Sequence, residues 1–184
     1  MNADDYCYDL ATGRGADFRY SLLGLPLAQR QALTAVTAFC AETTQIVDEC
    51  RDSGVARTKL DWWRAELDRL FTGQPQHPVT RALQPRLATF NLPEEYFQEI
   101  LDGVAMELDY DVYPDIAALA LYLHRRGCVP ALLAAAGWGL HRLGMPDLGL
   151  ILSFILLIGA HYWLTAQLGK RTGLWAMQVS EEQR

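Results

Sequence analysis

Apolar residues recur at intervals of three, four and seven along most of the chain, the spacing of one face of an α-helix. The first such segment opens at Leu25 and Pro26 and runs to about residue 52, with Leu33, Val36, Cys40, Val47 and Cys50 in phase. Pro26 suits a first helical turn, where its missing N–H costs nothing. A second segment, about residues 54–71, carries Leu60, Trp63, Leu67 and Leu70 as a stripe. Arg57, Lys59, Arg64, Glu66 and Asp68 lie largely off that stripe, and Gly73 is its expected stop. After a turn at 74–78, Pro78 opens a third helix with Leu83, Leu87 and Phe90 inward. Pro93 opens a fourth, with Glu94 and Glu95 in its electropositive first turn and Phe97, Leu101, Val104 and Leu108 inward. Pro114 opens a fifth with Ile116, Leu119 and Leu123, and a sixth covers about residues 129–143. No stretch alternates long enough for a strand. The expected fold is all-α, with short proline-marked connections.

The end of the chain breaks this pattern. From Leu148 to Gly169 there are 22 residues without Asp, Glu, Lys or Arg. About 20 apolar residues suffice to cross a bilayer, and Lys170 and Arg171 follow directly. Two readings stand: a helix buried in a bundle, or a membrane segment. The chain therefore divides at the sequence level into a helical domain, 1–146, and an atypical apolar helix with a polar tail, 147–184.

Composition narrows the chemistry. The 184 residues carry a net charge of −6 with 51% hydrophobic residues, which excludes wholesale disorder and argues against nucleic acid as a partner. Cys7, Cys40, Cys50 and Cys128 form no CxxC pair, as expected in a reducing compartment. The acidic, mixed start lacks a secretory signal, so the expected location is the cytoplasm, either free or peripheral to or anchored at the inner membrane. No P-loop, HExxH, GxSxG or dinucleotide fingerprint is present. Two acidic clusters remain: Glu42, Asp48, Glu49 and Asp52 on the first helix, and Glu107, Asp109, Asp111 and Asp115 at the fourth-to-fifth junction. Asp48 and Asp52, like Asp111 and Asp115, have the i,i+4 spacing that sets two carboxylates on one helix face. A solvated acidic surface accounts for the same clusters.

The stretches GADFRYS (15–21), LPLAQRQAL (25–33) and AFCAETTQIVDE (38–49) resemble the opening of squalene and phytoene synthases. WWRAELDRLFTGQPQHPVTRAL (62–83) and LPEEYFQEILDGVAMELD (92–109) are similar to the bacterial presqualene-diphosphate and squalene synthases of hopanoid pathways. The resemblance spans about residues 5–126 and weakens towards 150. It implies an all-α, isoprenoid-synthase-like helical bundle, shortened at its C-terminal end. It also implies a head-to-head condensation of farnesyl diphosphate, with Mg²⁺ held by two aspartate-rich motifs and, in some members, NADPH as reductant. Phe18 and Tyr20 on the opening segment, together with Asp48, are the residues it assigns to substrate.

The chain departs from the family at the positions that hold the metal. The first motif, Cys-Arg-x-x-Asp-Asp-x-x-Asp, reads here with Ala41 for the arginine and Thr44 and Gln45 for two aspartates. Asp48 remains, followed by Glu49, as the only metal-ligand candidates. Glu42 lies about 200° from Thr44 around the helix and does not replace it. In the register of Leu148 and Gly149, the second motif falls on Ser153, Leu156, Gly159, Ala160 and Leu164, all without charge. The family's flap serine is Asp17, next to Phe18, and its tyrosine-rich stretch is represented by 122–128. The expectation is a catalytically degenerate member, without Mg²⁺ or NADPH, that binds a prenyl diphosphate, another isoprenoid lipid or a protein. An active Mg²⁺-dependent prenyltransferase with atypical ligands, and a truncated non-functional product, are the alternatives.

Overall fold

A computed structural model of the protein describes residues 2–13, 16–50 and 52–137. Among these, all regular structure is helical: α1 (Ala3–Thr12), α2 (Ala16–Ser21), α3 (Leu27–Glu49), α4 (Ser53–Phe71), α5 (Pro78–Phe90), α6 (Glu94–Asp109), α7 (Ile116–Leu123), a π-helical turn (His124–Cys128) and α8 (Val129–Gly137). The sixth expected helix is seen to Gly137. The apolar run 148–169, the domain division at 146/147 and the second-motif positions 153–164 lie outside the described residues.

α3 is the central helix. It packs against α1, α4, α5, α6 and α8. Its core face differs from the expected stripe. Ala32, Ala35, Val36, Phe39, Thr43 and Ile46 are buried, whereas Leu33, Cys40, Val47 and Cys50 are only half-buried. Small alanines let neighbouring helices approach closely, and Phe39 fills the space between them. Its ring meets Trp63 of α4 and Phe97 of α6 edge-on, with centroids 5.4 and 5.2 Å away. Such pairs are worth about 0.5–1.5 kcal/mol beyond the area they bury.

The stripe on α4 is buried as expected, with Leu60, Trp63, Leu67 and Leu70 all 5% exposed or less. Gly73 ends that helix with φ +86°, a conformation glycine adopts without penalty. Asp52 begins it, its carboxylate accepting from the N–H groups of Gly54 at 2.7 Å and Val55 at 3.2 Å.

α1 was not among the expected helices, although Ala3, Tyr6, Cys7, Leu10 and Ala11 have helical spacing and face the core. It is tied down through Asp4, which meets Arg86 of α5 at 2.9 Å and accepts from Gln31 of α3 at 3.0 Å. Cys7 of α1 is fully buried among these helices, and burial pushes its thiol up to about 12.

α7 departs most from expectation. Ile116 is 85% and Leu119 40% exposed, so the apolar face that Pro114 introduces is not inward among the described residues. The expected break before residue 129 is also absent. The π turn continues α7 into α8, giving one helical run, Ile116–Ala134, long and apolar enough to cross a membrane by length and composition.

Candidate functional site

The C-terminal half of α3 presents two faces, and the motif residues are divided between them. Successive helical residues are about 100° apart, so Thr44 and Gln45 point in different directions.

Gln45, with Glu42, Ile46 and Glu49, lines a cavity of about 330 Å³ closed on its other side by Lys59, Trp62, Trp63 and His77. The aromatic wall is a herringbone. The His77 ring stands edge-on to Trp63 at 4.9 Å, Trp62 at 5.8 Å and Tyr6 at 5.9 Å. The Tyr6 hydroxyl donates to the Glu42 carboxylate. Burial, reinforced by that carboxylate, pushes the Tyr6 phenol up to about 12. Burial likewise holds the His77 imidazole below its ordinary value, against the pull of Glu42 and Glu66. The His77 Nδ1 accepts from the Val79 N–H at 3.3 Å to cap α5.

Glu66 holds this wall in place. Its side chain is fully buried, contrary to the expectation that it lies off the core. It accepts from the N–H groups of Gln76 at 2.7 Å and His77 at 2.8 Å, from the Thr80 hydroxyl, and from Arg69 Nε at 2.7 Å. Burial alone would raise its pKa. The hydrogen bonds from His77, Thr80, Arg69 and Gln76 outweigh burial and hold the carboxyl below its ordinary range. The i,i+3 spacing of Glu66 and Arg69 is a sequence signal that could have pointed to the pair, but the turn that closes on Glu66 is not readable from it.

The other face of α3 carries Ala41, Thr44 and Asp48. Ala41 is buried, Thr44 half-buried and Asp48 exposed. The Thr44 hydroxyl donates to the Cys40 carbonyl at 2.7 Å and accepts from Arg126 Nη2 at 3.1 Å. Arg126, in the π turn, also meets Glu107 of α6 through Nε at 2.5 Å. The Tyr122 hydroxyl donates to the same Glu107 oxygen at 3.1 Å. Burial, with Glu107 next to it, raises the Tyr122 phenol, and burial raises that of Tyr113 to about 12. Arg126 and Glu107 were not foreseen as neighbours of Thr44. A π turn interrupting a helix is a recurrent mark of functional sites, but sequence alone did not locate it.

The remaining candidates are scattered. Asp48 and Glu49 are exposed and make no hydrogen bond or ion pair among the described residues. Asp52 does not share their helix, because α3 ends at Glu49 and Asp52 caps α4. Asp111 and Asp115 are likewise not a helical pair. Asp115 caps α7 by accepting from the Ala118 N–H at 2.7 Å, and Asp111 lies in the preceding bend. Asp109 is paired with Arg57 at 2.7 Å. On α2, which packs against α1, Phe18 is half-buried and Tyr20 is 68% exposed. Among the described residues no three His, Cys, Asp or Glu side chains are grouped to hold a metal ion.

Comparison with known proteins places this arrangement. The family described as squalene/phytoene synthase matches residues 11–148. The chain is 31% identical over 145 residues to the presqualene diphosphate synthase of Zymomonas mobilis, covering 78% of this chain and 48% of that protein. It is 34% identical over 127 residues to the presqualene diphosphate synthase of Rhodopseudomonas palustris, covering 68% and 45%. It is also 33% identical over 115 residues to the phytoene synthase of Arthrospira platensis, covering 62% and 37%. The chain thus spans less than half the length of these relatives. With three-quarters of its residues inside the family match and a wholly helical described region, the chain belongs to the squalene/phytoene synthase family.

Proposed function

We propose that this chain is a non-catalytic member of its family in isoprenoid metabolism, one that binds a prenyl diphosphate or a related isoprenoid without condensing it. The observation that carries the reading is position 44. Where the resemblance implies a carboxylate for a cation, there is a hydroxyl bonded to an arginine. A hard divalent cation needs several oxygen ligands, mostly anionic. On this face Thr44 is neutral, Glu107 is engaged by Arg126, and Asp48 stands alone at the surface. Loss of a diphosphate leaving group needs that charge neutralised in the transition state.

Binding without turnover leaves a place for the family's ligand. Ile116–Ala134 is apolar and long enough to cross a membrane by length and composition, and its largely unburied apolar side chains suit contact with a prenyl chain. The relatives are named for making presqualene diphosphate and phytoene, which sets the ligand class to test.

The deciding experiment is incubation with labelled farnesyl diphosphate and Mg²⁺. The expected result is no presqualene diphosphate or squalene above a blank, alongside a saturable quench of tryptophan fluorescence that EDTA leaves unchanged. Product from the wild-type chain that disappears in Asp48→Asn would overturn the reading in favour of an active enzyme with atypical ligands.

A further inference from the structure

We infer that Arg126 is the residue that keeps a divalent cation off the α3 face, occupying with its own fixed charge the place such an ion would need. The inference rests on the non-catalytic reading above and names the side chain responsible.

Arg126 is held from three sides. Its Nη2 reaches Thr44 at 3.1 Å and its Nε reaches Glu107 at 2.5 Å, with both members of that ion pair less than one-fifth exposed. Tyr122 donates to the same Glu107 oxygen and fixes the carboxylate. Beneath, the aliphatic stem lies against α6 at Gly103. A Cβ at that position would stand 2.9 Å from Arg126 Cδ and 3.0 Å from Arg125 Cβ. The missing side chain at 103 is what lets the π turn sit so close to α6. Arg125 is occupied separately, by Asp102 at 3.4 Å and Glu99 at 3.6 Å.

A guanidinium does not lose its proton in a protein, so the charge beside Thr44 is permanent. It repels a divalent cation and it consumes Glu107, the carboxylate bound to the same guanidinium as Thr44. These residues do not fit Mg²⁺. The consequence is specific: a carboxylate restored at position 44 meets Arg126 first. Thr44→Asp should form an ion pair with the guanidinium rather than a metal site.

The test is Mn²⁺ titration, followed by calorimetry and by the paramagnetic signal of free Mn²⁺, on four proteins. These are the wild type, Thr44→Asp, Thr44→Asp with Arg126→Met, and Thr44→Asp with Arg126→Lys. Methionine keeps most of the arginine's stem volume, and lysine keeps its charge. Circular dichroism and Tm establish that each variant is folded. The wild type, the single variant and the lysine double variant should bind no Mn²⁺ at about 1 mM, and Thr44→Asp should have a raised Tm. The methionine double variant should bind Mn²⁺ saturably, at least tenfold more tightly than Thr44→Asp. Equal binding by Thr44→Asp and the methionine variant, or no binding by the latter when folded, would show that Arg126 is not the excluding residue. Should the methionine variant fail to fold, Mn²⁺ binding by Thr44→Asp or by the lysine variant still overturns the inference, and a raised Tm without binding in Thr44→Asp supports it. Failure of the non-catalytic reading is separately visible as product in the farnesyl diphosphate assay.

Discussion

Glu66 and the Asp48–Glu49 pair are carboxylates on adjacent helices in opposite surroundings. Glu66 is fully buried and accepts from four donors contributed by Gln76, His77, Thr80 and Arg69. Asp48 and Glu49 are the residues that the resemblance assigns to a metal, yet they are exposed and without a partner among the described residues. Asp52 falls between them, exposed but accepting from two N–H groups. The contrast separates two kinds of information. Membership of a motif reports ancestry, whereas burial and donor count report what a carboxylate does in this chain. A buried carboxylate is tolerated only when its lone pairs are filled, so Glu66 is a structural keystone of the turn between α4 and α5.

Substitutions graded along this series should sharpen or break the contrast. Glu66→Ala leaves the N–H groups of Gln76 and His77 and the Arg69 guanidinium without this acceptor, while the Thr80 hydroxyl keeps only the His77 carbonyl. It should lower the unfolding free energy by about 3–5 kcal/mol, the usual cost of breaking a buried charged pair. Urea denaturation with an unchanged m-value measures it. Because the folded structure holds the Glu66 carboxyl below its ordinary range, the stabilisation is fully present above about pH 4.3 and is lost as pH falls through the lower folded value. The gap in Tm between wild type and Glu66→Gln should therefore narrow in acid, and a gap that widens would refute the assignment.

Asp52→Ala removes only a cap. The expected loss is about 1 kcal/mol, read from the same denaturation curves, with Asp52→Asn largely retaining stability. A loss as large as that of Glu66→Ala would mean that Asp52 does more than begin α4.

Asp48→Asn should change stability by no more than about 0.5 kcal/mol in either direction, as for an exposed surface position. A larger effect on Tm, or one that appears only when Mg²⁺ is added, would restore Asp48 to a role in binding and weaken the contrast with Glu66.

The regular helices were legible because their signals are local. Pro26, Pro78 and Pro93 mark the starts of α3, α5 and α6, and Gly73 the end of α4, since each acts through its own backbone. The stripe on α4 was correct because large apolar residues have few alternatives to burial. On α3 the stripe was misjudged, because alanines in close helix contacts carry little hydrophobic signal. α1 was missed although its signal is present: Ala3, Tyr6, Cys7, Leu10 and Ala11 have helical spacing, but the segment is only ten residues long and three aspartates dilute its apolar character.

By itself, the sequence determined the helical class, the positions of the main turns and the family, and it shows uncharged residues at 41, 44 and 45. Tertiary structure alone decided which polar groups meet. Thr44 and Arg126 are 82 residues apart, and Glu66 and His77 face each other across a turn. Helical periodicity is a property of neighbours along the chain, so it fixes which side of a helix a residue occupies. The partner on the other side of the gap depends on how separate helices pack. That packing buries Glu66, exposes Ile116, and sets a fixed guanidinium beside Thr44.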